Sequence, residues 1–512
     1  MMRQQPSAVS LWRERRAERR PCEGPWLDLA LICIDTATMA IPQDMLGAPR
    51  ARSWVLMALV PLALPFVVLL LPIFAVASYL LAWYTYFTMA QAHLPEDKST
   101  VIGGLRIPYL PLHPVRILKV SRTVVATLVA TLFGPGPGLA LRWVFRKLMT
   151  PRSKRLRVCE EICYNTDHPD VKLDVYCASL GFQQQHPHGH YWYEADGQNS
   201  RCTITAAVKD NVRSKLRPVV IFIYGGAWMS GDKAIYGPLA YTLQSQGYCV
   251  VVPNYTLFPK GKVGDMVADV YRAIQWTHDH IESFGGNPQQ IFLMGHSAGA
   301  HLCMTTVLHD LGQYLTTRFT RSGSETSPNE SSDPSPLPTL EDSLPQIQGM
   351  ILLAGVYDIE SHYRFESQRG LEEISGMGRA MGNTLESWDC VSPVKMLEAI
   401  RRRYPESVHN NDVSRLLPPN IWLVHGEFDT TVPASSSEAL HQQLLEIGAS
   451  NVKFSRYSRL DHQRPVVELM VPSSDYALEF LADLDEFTAP VRYRPEVRSP
   501  TRSRTATASA HQ

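Results

Sequence analysis

The sequence lacks net charge, a disulfide pattern and a zinc-ligand pattern. Its 49 basic and 49 acidic residues give a formal net charge of +0, so the overall charge does not indicate a nucleic-acid partner. Nine scattered cysteines in 512 residues are not the pattern of a disulfide framework. Cys159 and Cys163 form a C-x3-C pair, but no second pair lies at zinc spacing, so we interpret them as positions on one face of a strand. We therefore expect neither a metal nor another cofactor.

Charged residues are also missing from a long stretch near the start of the chain. It follows a basic segment at 1–50, which we expect to be disordered rather than a signal peptide, because the apolar run begins too late. Residues 54–89 then contain no charge over 36 positions. A membrane span needs about 20 apolar residues, so this stretch is long enough for one tilted helix. Three prolines would kink that helix or turn it into a re-entrant hairpin. They are Pro61, Pro65 and Pro72.

A second apolar run covers residues 123–141. Glycines and prolines at 134–138 interrupt it, so whether it forms a second span stays open. Basic residues then cluster, which favours the cytoplasmic side of a bilayer and attracts anionic headgroups. They are Arg142, Arg146, Lys147, Arg152, Lys154, Arg155 and Arg157. We therefore predict a membrane-anchoring helical region at 51–150, with the endoplasmic reticulum as the expected membrane and the next domain facing the cytoplasm. The alternative is a solvated basic linker.

Residues 155–485 have the sequence pattern of an α/β domain. Short apolar runs alternate with helical patterns, which predicts an α/β fold with a mostly parallel central sheet flanked by helices. Several runs are continuously apolar, as expected for strands buried on both faces. The predicted strands are 172–177, 218–224, 248–254, 290–295, 348–354, 420–425 and 452–457. Polar segments at 320–345, inside the domain, and at 490–512, after it, are expected to be disordered.

One predicted strand leads into a nucleophile motif. Gly295-His296-Ser297-Ala298-Gly299 fits G-x-S-x-G, follows the apolar run IFLM and precedes a helical pattern. Such a turn lifts the serine hydroxyl to the carboxyl end of the sheet, beside a helix N-terminus that favours developing negative charge. The strand, turn and helix context predicts Ser297 as the nucleophile of an α/β-hydrolase fold.

A glycine-rich segment, YGGAW at 224–228, follows the strand predicted at 218–224. Glycines let backbone amides approach a substrate oxygen, so we predict the amides of Gly225 and Gly226, with that of Ala298, as oxyanion donors. The related loop of lipases and esterases reads HGGG. Tyr224 and Ala227 depart from that form, which leaves the outer hydrogen bonding of the loop open.

The acid and the base should follow the serine in that order. Asp429 comes just after the strand predicted at 420–425, and His462 comes 33 residues later, after another predicted strand. We predict His462 as the general base and Asp429 as the acid that holds its tautomer. Glu427 and Asp461 are alternatives for the acid.

Several segments together resemble the isoprenylcysteine methylesterase group of the carboxylesterase and hormone-sensitive-lipase-like α/β hydrolases. They are LDVY at 173–176, GGAW at 225–228, DMVADV at 265–270, FGGNPQQIFLMGHSAGAH at 284–301 and HGEFDTTVP at 425–433. The resemblance covers roughly residues 155–480 and implies hydrolysis of a carboxyl methyl ester on a prenylated cysteine. Asp269, inside DMVADV, is interpreted as structural. Arylformamidases share the glycine loop, the elbow and the triad, so formamide hydrolysis remains an alternative.

The sequence as a whole predicts a membrane-associated serine carboxylesterase that acts on a small-molecule or lipid-like ester. An anchored enzyme would meet a prenylated substrate locally, since each buried CH₂ contributes about 0.8 kcal/mol to membrane partitioning. Two further readings stay open. One is an acyltransferase that uses the same acyl-enzyme, and the other is a non-catalytic interaction protein with an α/β-hydrolase fold.

Overall fold

A computed structural model describes residues 158–177, 216–321, 336–340, 342–372, 375–382, 384–471 and 474–492, with short fragments between 70 and 122. In those fragments, β1 (Thr100–Ile102) and β2 (Leu105–Ile107) form an antiparallel hairpin, and the residues described between 70 and 84 are helical. The segments predicted at 1–50, most of 51–150 and 493–512 lie outside the described residues. Within the described part of the chain, no helix is long and apolar enough to cross a membrane.

Eight strands form one sheet. Their order across it is β10-β9-β8-β7-β5-β6-β4-β3. The strands are β3 (Val158–Cys163), β4 (Lys172–Tyr176), β5 (Arg217–Ile223), β6 (Cys249–Pro253), β7 (Gly286–His296), β8 (Ile347–Leu353), β9 (Ile421–Gly426) and β10 (Val452–Tyr457). β4 pairs antiparallel with both neighbours, and all other pairs in this sheet are parallel. This order, with one reversed strand near the edge, confirms the predicted α/β-hydrolase fold.

Helices connect the strands and cover the sheet. They are α1 (Gly237–Ser245), α2 (Val263–His280), α3 (Ala298–Arg321), α4 (Ile359–Arg369), α5 (Met377–Ala380), α6 (Leu385–Cys390), α7 (Pro393–Arg403), α8 (Pro405–His409), α9 (Asp412–Leu416), α10 (Ser435–Glu446), α11 (Arg464–Val467) and α12 (Asp475–Arg492). Short 3-10 helices occur at Lys233–Tyr236, Ile281–Phe284 and Glu468–Met470. Six helices, α4 to α9, lie between β8 and β9, where the sequence shows no apolar strand pattern.

The core sits on both faces of the central strands. β5, β6 and β9 are buried along nearly their whole length, which explains why their sequences are continuously apolar. All seven predicted strands are confirmed. β3 is an eighth, and its residues are only partly buried.

A bulge in β3 corrects the interpretation of the two nearby cysteines. The pairing shifts between Cys159, opposite Val175, and Ile162, opposite Leu173. Because one extra residue reverses the side-chain alternation, Cys159 and Cys163 lie on opposite faces of the strand. The two cysteines do lie in a strand, as predicted, but the prediction that they share one face of it is wrong.

Part of the polar insertion at 320–345 is held in place. The amide of Leu340 donates to Gln313 Oε1 at 3.0 Å, and the amide of Leu344 donates to Asp310 Oδ1 at 3.0 Å. Both acceptors are on α3, which itself continues through Arg321. The described residues 336–340 and 342–345 thus differ from the expectation of disorder, because α3 supplies side-chain partners for their backbone. Residues 322–335 lie outside the described part.

Candidate active site

The sheet brings the predicted site residues to one edge. Gly225 follows β5, Ser297 follows β7, Asp429 follows β9 and His462 follows β10. These strands are parallel, so their carboxyl ends meet at the same edge of the sheet. Residues 33 to 237 positions apart in sequence therefore meet at one edge of the sheet.

The turn at Ser297 is strained. Its φ is 54°, in the left-handed region that few non-glycine residues adopt. The amide of Ser297 donates to Leu353 O at 2.9 Å, and its carbonyl accepts the amide of His301 at 3.1 Å. A Cβ on Gly299 would lie 2.1 Å from Ile223 O, so only glycine lets α3 approach β5 this closely. The elbow geometry thus holds the serine hydroxyl above the sheet.

A hydrogen-bonded chain joins the serine, the histidine and the aspartate. The Ser297 hydroxyl donates to His462 Nε2 at 2.9 Å. His462 Nδ1–H donates to Asp429 Oδ2 at 2.7 Å. All three residues are buried. The carboxylate therefore keeps the imidazole proton on Nδ1, so that Nε2 is free to take a proton from the hydroxyl.

Asp429 is held as an anion. Its Oδ1 accepts the amides of Thr431 and Val432, both at 2.8 Å, and His425 Nε2 lies 3.3 Å from Oδ2. Burial raises the pKa of Asp429, but hydrogen bonds from His425 and His462 outweigh burial and keep the pKa well below its usual range. The carboxylate is thus charged at any pH at which the histidine could act as a base.

The two alternative acids have other partners. Glu427 Oε1 lies 3.8 Å from Arg456 Nε, on the exposed side of β10. Asp461 accepts the amides of Gln463 and Arg464, at 3.0 and 2.9 Å, and so begins the short helix α11. Asp429 is accordingly the acid that the structure brings to His462.

His296, inside the G-x-S-x-G motif, also contacts the base. Its Nε2–H donates to the carbonyl of His462 at 2.8 Å. Burial lowers the pKa of His296 to about 3, so the ring is neutral and its proton stays on the donating nitrogen. His296 thus fixes the backbone that carries the base. Its position next to Ser297 in the sequence is the one signal that could have indicated this role.

The oxyanion loop lies against the nucleophile. A Cβ on Gly225 would lie 2.8 Å from Ser297 Cβ and 2.8 Å from His296 O. The carbonyl of Gly226 accepts the amides of Met229 and Ser230, at 3.2 and 3.0 Å, which fixes the following peptide plane. Ala298 is the first residue of α3, so its amide has no acceptor within the helix. Gly225 therefore lies against Ser297, Ala298 directly follows it in sequence, and the use of the amides of residues 225, 226 and 298 as oxyanion donors stays a prediction.

Asn254 holds the two ends of this loop together. Its Oδ1 accepts the Tyr224 hydroxyl at 3.0 Å and the amide of Lys233 at 2.7 Å. Its Nδ2 donates to Asp232 Oδ2 at 3.1 Å. One side chain therefore joins the first residue of the loop 224–233 to its last two. We refer to this arrangement as the Asn254 clamp.

Aromatic and ionic contacts support the clamp. The Tyr224 ring stacks between those of Tyr236 and Tyr255, with centroids 5.4 and 4.8 Å away. The buried Lys233 ammonium pairs with Asp174 at 2.6 Å and with Glu161. Tyrosine in place of the histidine of HGGG thus makes a bond that reaches Asn254, 30 residues along the chain. The Tyr224–Asn254 hydrogen bond is therefore the outer hydrogen bond of the loop, which the sequence left open.

Asp269 has the structural role that we predicted. It is fully buried, and its carboxylate accepts Asn165 Nδ2 at 2.5 Å and the amide of Thr256 at 2.7 Å. Thr256 follows Asn254 by two residues, so Asp269 orders the segment that carries the clamp. Among the described contacts, none links its carboxylate to Ser297, Asp429 or His462.

The chain is similar in sequence to a family model and to several curated proteins. Residues 207–444 match the family model BD-FAE. A probable isoprenylcysteine alpha-carbonyl methylesterase of Oryza sativa subsp. japonica is 31% identical over 237 residues, 46% of this chain and 49% of that protein. Kynurenine formamidase of Salmo salar is 30% identical over 161 residues, 31% of this chain and 44% of that protein. The chain spans about half the length of the curated relatives it matches.

Solved structures were also compared. A tributyrin phosphonate-inhibited esterase B from Lactobacillus rhamnosis has a TM-score of 0.44 and 17% identity, and the match covers 74% of this chain and 96% of that chain. The sheet order and the serine elbow show that the described residues between 158 and 492 have an α/β-hydrolase fold. Within that class, the chain is similar to BD-FAE, a hormone-sensitive-lipase-like esterase family, and to isoprenylcysteine alpha-carbonyl methylesterases, which confirms the resemblance seen in its motifs.

Proposed function

We propose that this chain is a membrane-associated serine carboxylesterase that hydrolyses a carboxylic ester through an acyl-enzyme on Ser297. The observation that carries the proposal is the continuous hydrogen-bonded chain from Ser297 Oγ to His462 and on to Asp429, at 2.9 and 2.7 Å. Geometry of this kind activates a serine for acyl transfer.

The proposed reaction has two halves. His462 Nε2 takes the hydroxyl proton as Ser297 Oγ attacks the ester carbonyl, and the amides of Gly225, Gly226 and Ala298 stabilise the oxyanion. His462 then gives that proton to the leaving alkoxide, which departs as an alcohol. Water, activated by the same nitrogen, hydrolyses the acyl-enzyme and restores the serine.

Prenylcysteine methyl ester is the substrate we propose first. The similarity to a probable isoprenylcysteine alpha-carbonyl methylesterase supports it. N-formylkynurenine is the second candidate, because the chain is also similar to a kynurenine formamidase. Both substrates present a carbonyl that the same serine, base and oxyanion donors can attack.

Membrane association is part of the proposal. Large apolar side chains are exposed at helical positions between residues 70 and 84, and exposed apolar clusters mark interaction surfaces. They are Leu70, Ile73, Val76, Tyr79, Leu80 and Tyr84. A prenylated substrate partitions into the bilayer, so an enzyme held there would meet it at high local concentration. The endoplasmic reticulum, with the catalytic domain in the cytoplasm, remains our proposed location.

A labelling experiment tests the chemistry. Wild-type protein should react with a fluorophosphonate probe, and Ser297→Ala should not. Labelling of Ser297→Ala would show that the reactive nucleophile is another residue. A folded wild-type protein that ignores the probe and hydrolyses no short p-nitrophenyl ester would favour a non-catalytic interaction protein. The substrates can then be ranked by their hydrolysis rates, measured with prenylcysteine methyl ester, N-formylkynurenine and short acyl esters. A separate measurement distinguishes an esterase from an acyltransferase: the partitioning of the acyl group between water and an added alcohol.

A further inference from the structure

The backbone of the oxyanion loop is strained at its centre. Gly226, Ala227 and Trp228 follow one another with φ values of 142°, 52° and 62°. Two of these residues are not glycine, and such residues stay in the left-handed region only where their surroundings hold them there. The Asn254 clamp fastens the ends of the loop, so the contacts of its centre decide whether the strained turn keeps its shape.

The side chain of Trp228 anchors that centre to helix α3. The residue is only 2% exposed, and its indole Nε1–H donates to His301 Nδ1 at 3.2 Å. The two rings meet edge to face, with their centroids 5.2 Å apart. The carbonyl of Trp228 also accepts the amide of Phe258 at 2.9 Å, so both the side chain and the backbone of this residue are held.

The second nitrogen of His301 makes the ring an acceptor for Trp228. His301 Nε2 lies 2.8 Å from the carbonyl of Val391, the residue that directly follows α6. A carbonyl only accepts and an indole N–H only donates, so both partners require the proton on Nε2 and a bare Nδ1. Burial lowers the pKa of His301 to about 4, so the ring is neutral near pH 7.

His301 also contacts the nucleophile elbow. Its backbone amide donates to the carbonyl of Ser297 at 3.1 Å, in the first turn of α3. One residue therefore bonds to Ser297 through its backbone and to Trp228 through its ring. The position of the loop relative to the serine depends on this connection, because the amide of Gly226 lies only two residues before Trp228.

We propose that His301 is a positioning residue, which acts through the Trp228 indole to hold the amides of Gly225 and Gly226 against Ser297. The inference rests on the proposed function, because it adds a residue to the machinery of the same site. Without the hydrogen bond to His301, the strained turn relaxes and carries the amide of Gly226 away from the developing oxyanion. His301 takes no part in the proton transfers.

Two substitutions of His301 separate its two side-chain bonds. His301→Asn puts Oδ1 at the position of Nδ1, so it keeps the acceptor for Trp228 and loses the donor to Val391. His301→Gln does the reverse, because its amide nitrogen reaches the position of Nε2. Trp228→Phe removes the indole N–H and leaves α3 unchanged. Thr305→Val is the matched control, since the Thr305 hydroxyl donates to the same carbonyl of Val391 at 3.4 Å from the same helix.

We expect His301→Gln and Trp228→Phe to lower kcat on p-nitrophenyl butyrate about tenfold. Complete loss of an oxyanion donor lowers kcat about 10²–10³-fold, and a displaced donor keeps part of its effect. KM should change by less than about twofold, because the loop acts on the transition state. A trifluoromethyl ketone forms a hemiketal oxyanion on Ser297, so its affinity should weaken by the same factor as kcat/KM.

The controls and the double variant complete the test. His301→Asn and Thr305→Val should keep kcat within about threefold of wild type, since both retain the bond to Trp228. The double variant of Trp228→Phe and His301→Gln should lose no more than either single variant, because both changes remove one and the same bond. Urea unfolding identifies the folded variants, and Trp228→Phe carries the test if His301→Gln does not fold.

Three results would overturn the role of His301. One is an equal loss of kcat in His301→Asn and His301→Gln. Another is a wild-type kcat in folded Trp228→Phe, and the third is a fall in kcat with unchanged affinity for the trifluoromethyl ketone. In each case an active wild type leaves the esterase proposal standing. If wild type hydrolyses no ester and ignores the fluorophosphonate probe, the esterase proposal itself fails, and the role of His301 fails with it.

Discussion

Removing the hydroxyl of Tyr224 tests whether the Asn254 clamp positions the oxyanion loop. In Tyr224→Phe the ring keeps its place between Tyr236 and Tyr255, so the stacking is retained. Only the hydrogen bond of 3.0 Å to Asn254 Oδ1 is lost. The substitution therefore isolates one polar contact that lies outside the chemistry.

The expected loss of stability in Tyr224→Phe follows from the hydrogen bonds that Asn254 keeps. A neutral hydrogen bond contributes about 1 kcal/mol net, and Asn254 Oδ1 still accepts the amide of Lys233 at 2.7 Å, so no buried acceptor is left alone. We expect the free energy of unfolding to fall by about 1 kcal/mol. If that energy positions the loop, kcat falls by up to about fivefold and KM changes little. Asn254→Ala removes all three bonds of the clamp, and its kcat should fall by about 100-fold, as when one oxyanion donor is lost.

The assay measures kcat and KM on p-nitrophenyl butyrate, with urea unfolding on the same samples. Tyr271→Phe is the control, because the Tyr271 hydroxyl donates to Asp342 O at 2.7 Å and belongs to α2 rather than to the loop. The same hydroxyl also accepts the amide of Asp342 at 3.0 Å and Gln275 Nε2 at 3.2 Å, so the control should lose at least as much stability as Tyr224→Phe and keep the wild-type kcat.

Either of two results would show that the clamp does not position the oxyanion loop. One is that Asn254→Ala is destabilised but turns over substrate at the wild-type kcat. The other is that KM rises in both clamp variants while kcat stays constant, since a displaced oxyanion loop acts on the transition state and not on ground-state binding.

Three further predictions concern other parts of the domain. Asp429→Asn should fold, judged by circular dichroism, but its kcat should fall on the order of 10⁴-fold, because the amide no longer fixes the His462 tautomer. Burial raises the pKa of Glu366 from 4.5 to about 7, so the folded state loses stability as pH rises through that range. In wild type, the free energy of unfolding in urea should fall by about 3 kcal/mol between pH 4.5 and about pH 8 because of this group. Glu366→Gln should not show that fall. A pH profile of stability identical to wild type would contradict the raised pKa. Gly299→Ala should unfold at a lower temperature than wild type, because its Cβ would lie 2.1 Å from a backbone oxygen of β5. Gly312→Ala is the control on the same helix: its Cβ would have nothing within 4 Å, so this variant should be stabilised by up to about 1 kcal/mol.

The parts of the site that local patterns encode were predictable from the sequence. Ser297 and Asp429 each follow an apolar run, and a run of that kind that is buried on both faces has few readings other than a central parallel strand. His462 instead follows β10, an edge strand of mixed sequence whose residues are partly buried or exposed. The glycines at 225 and 226 marked a close approach of backbone, and a Cβ there would lie 2.8 Å from Ser297 Cβ and 2.0 Å from Ser230 O, respectively.

What the sequence did not show depends on tertiary contacts. Nothing near Tyr224 points to Asn254, because β6 brings the two together only when it pairs with β5. The bulge in β3 reverses a face without any glycine to mark it, since Glu161 adopts the positive φ there. His362 and Glu366 lie in a helix whose sequence is mostly polar, so their burial follows from tertiary packing and not from hydrophobic periodicity.

The Asn254 clamp has a consequence for the compartment in which the domain folds. Asn254-Tyr255-Thr256 is an acceptor sequence for N-linked glycosylation, and the nitrogen that would carry the sugar is the one that donates to Asp232. A glycan there would replace one of its two hydrogens and add bulk between the two ends of the oxyanion loop. A chain made into the secretory lumen would be exposed to that modification before the clamp closed, whereas a chain that folds in the cytoplasm would not. The closed clamp and a glycan on Asn254 are therefore mutually exclusive.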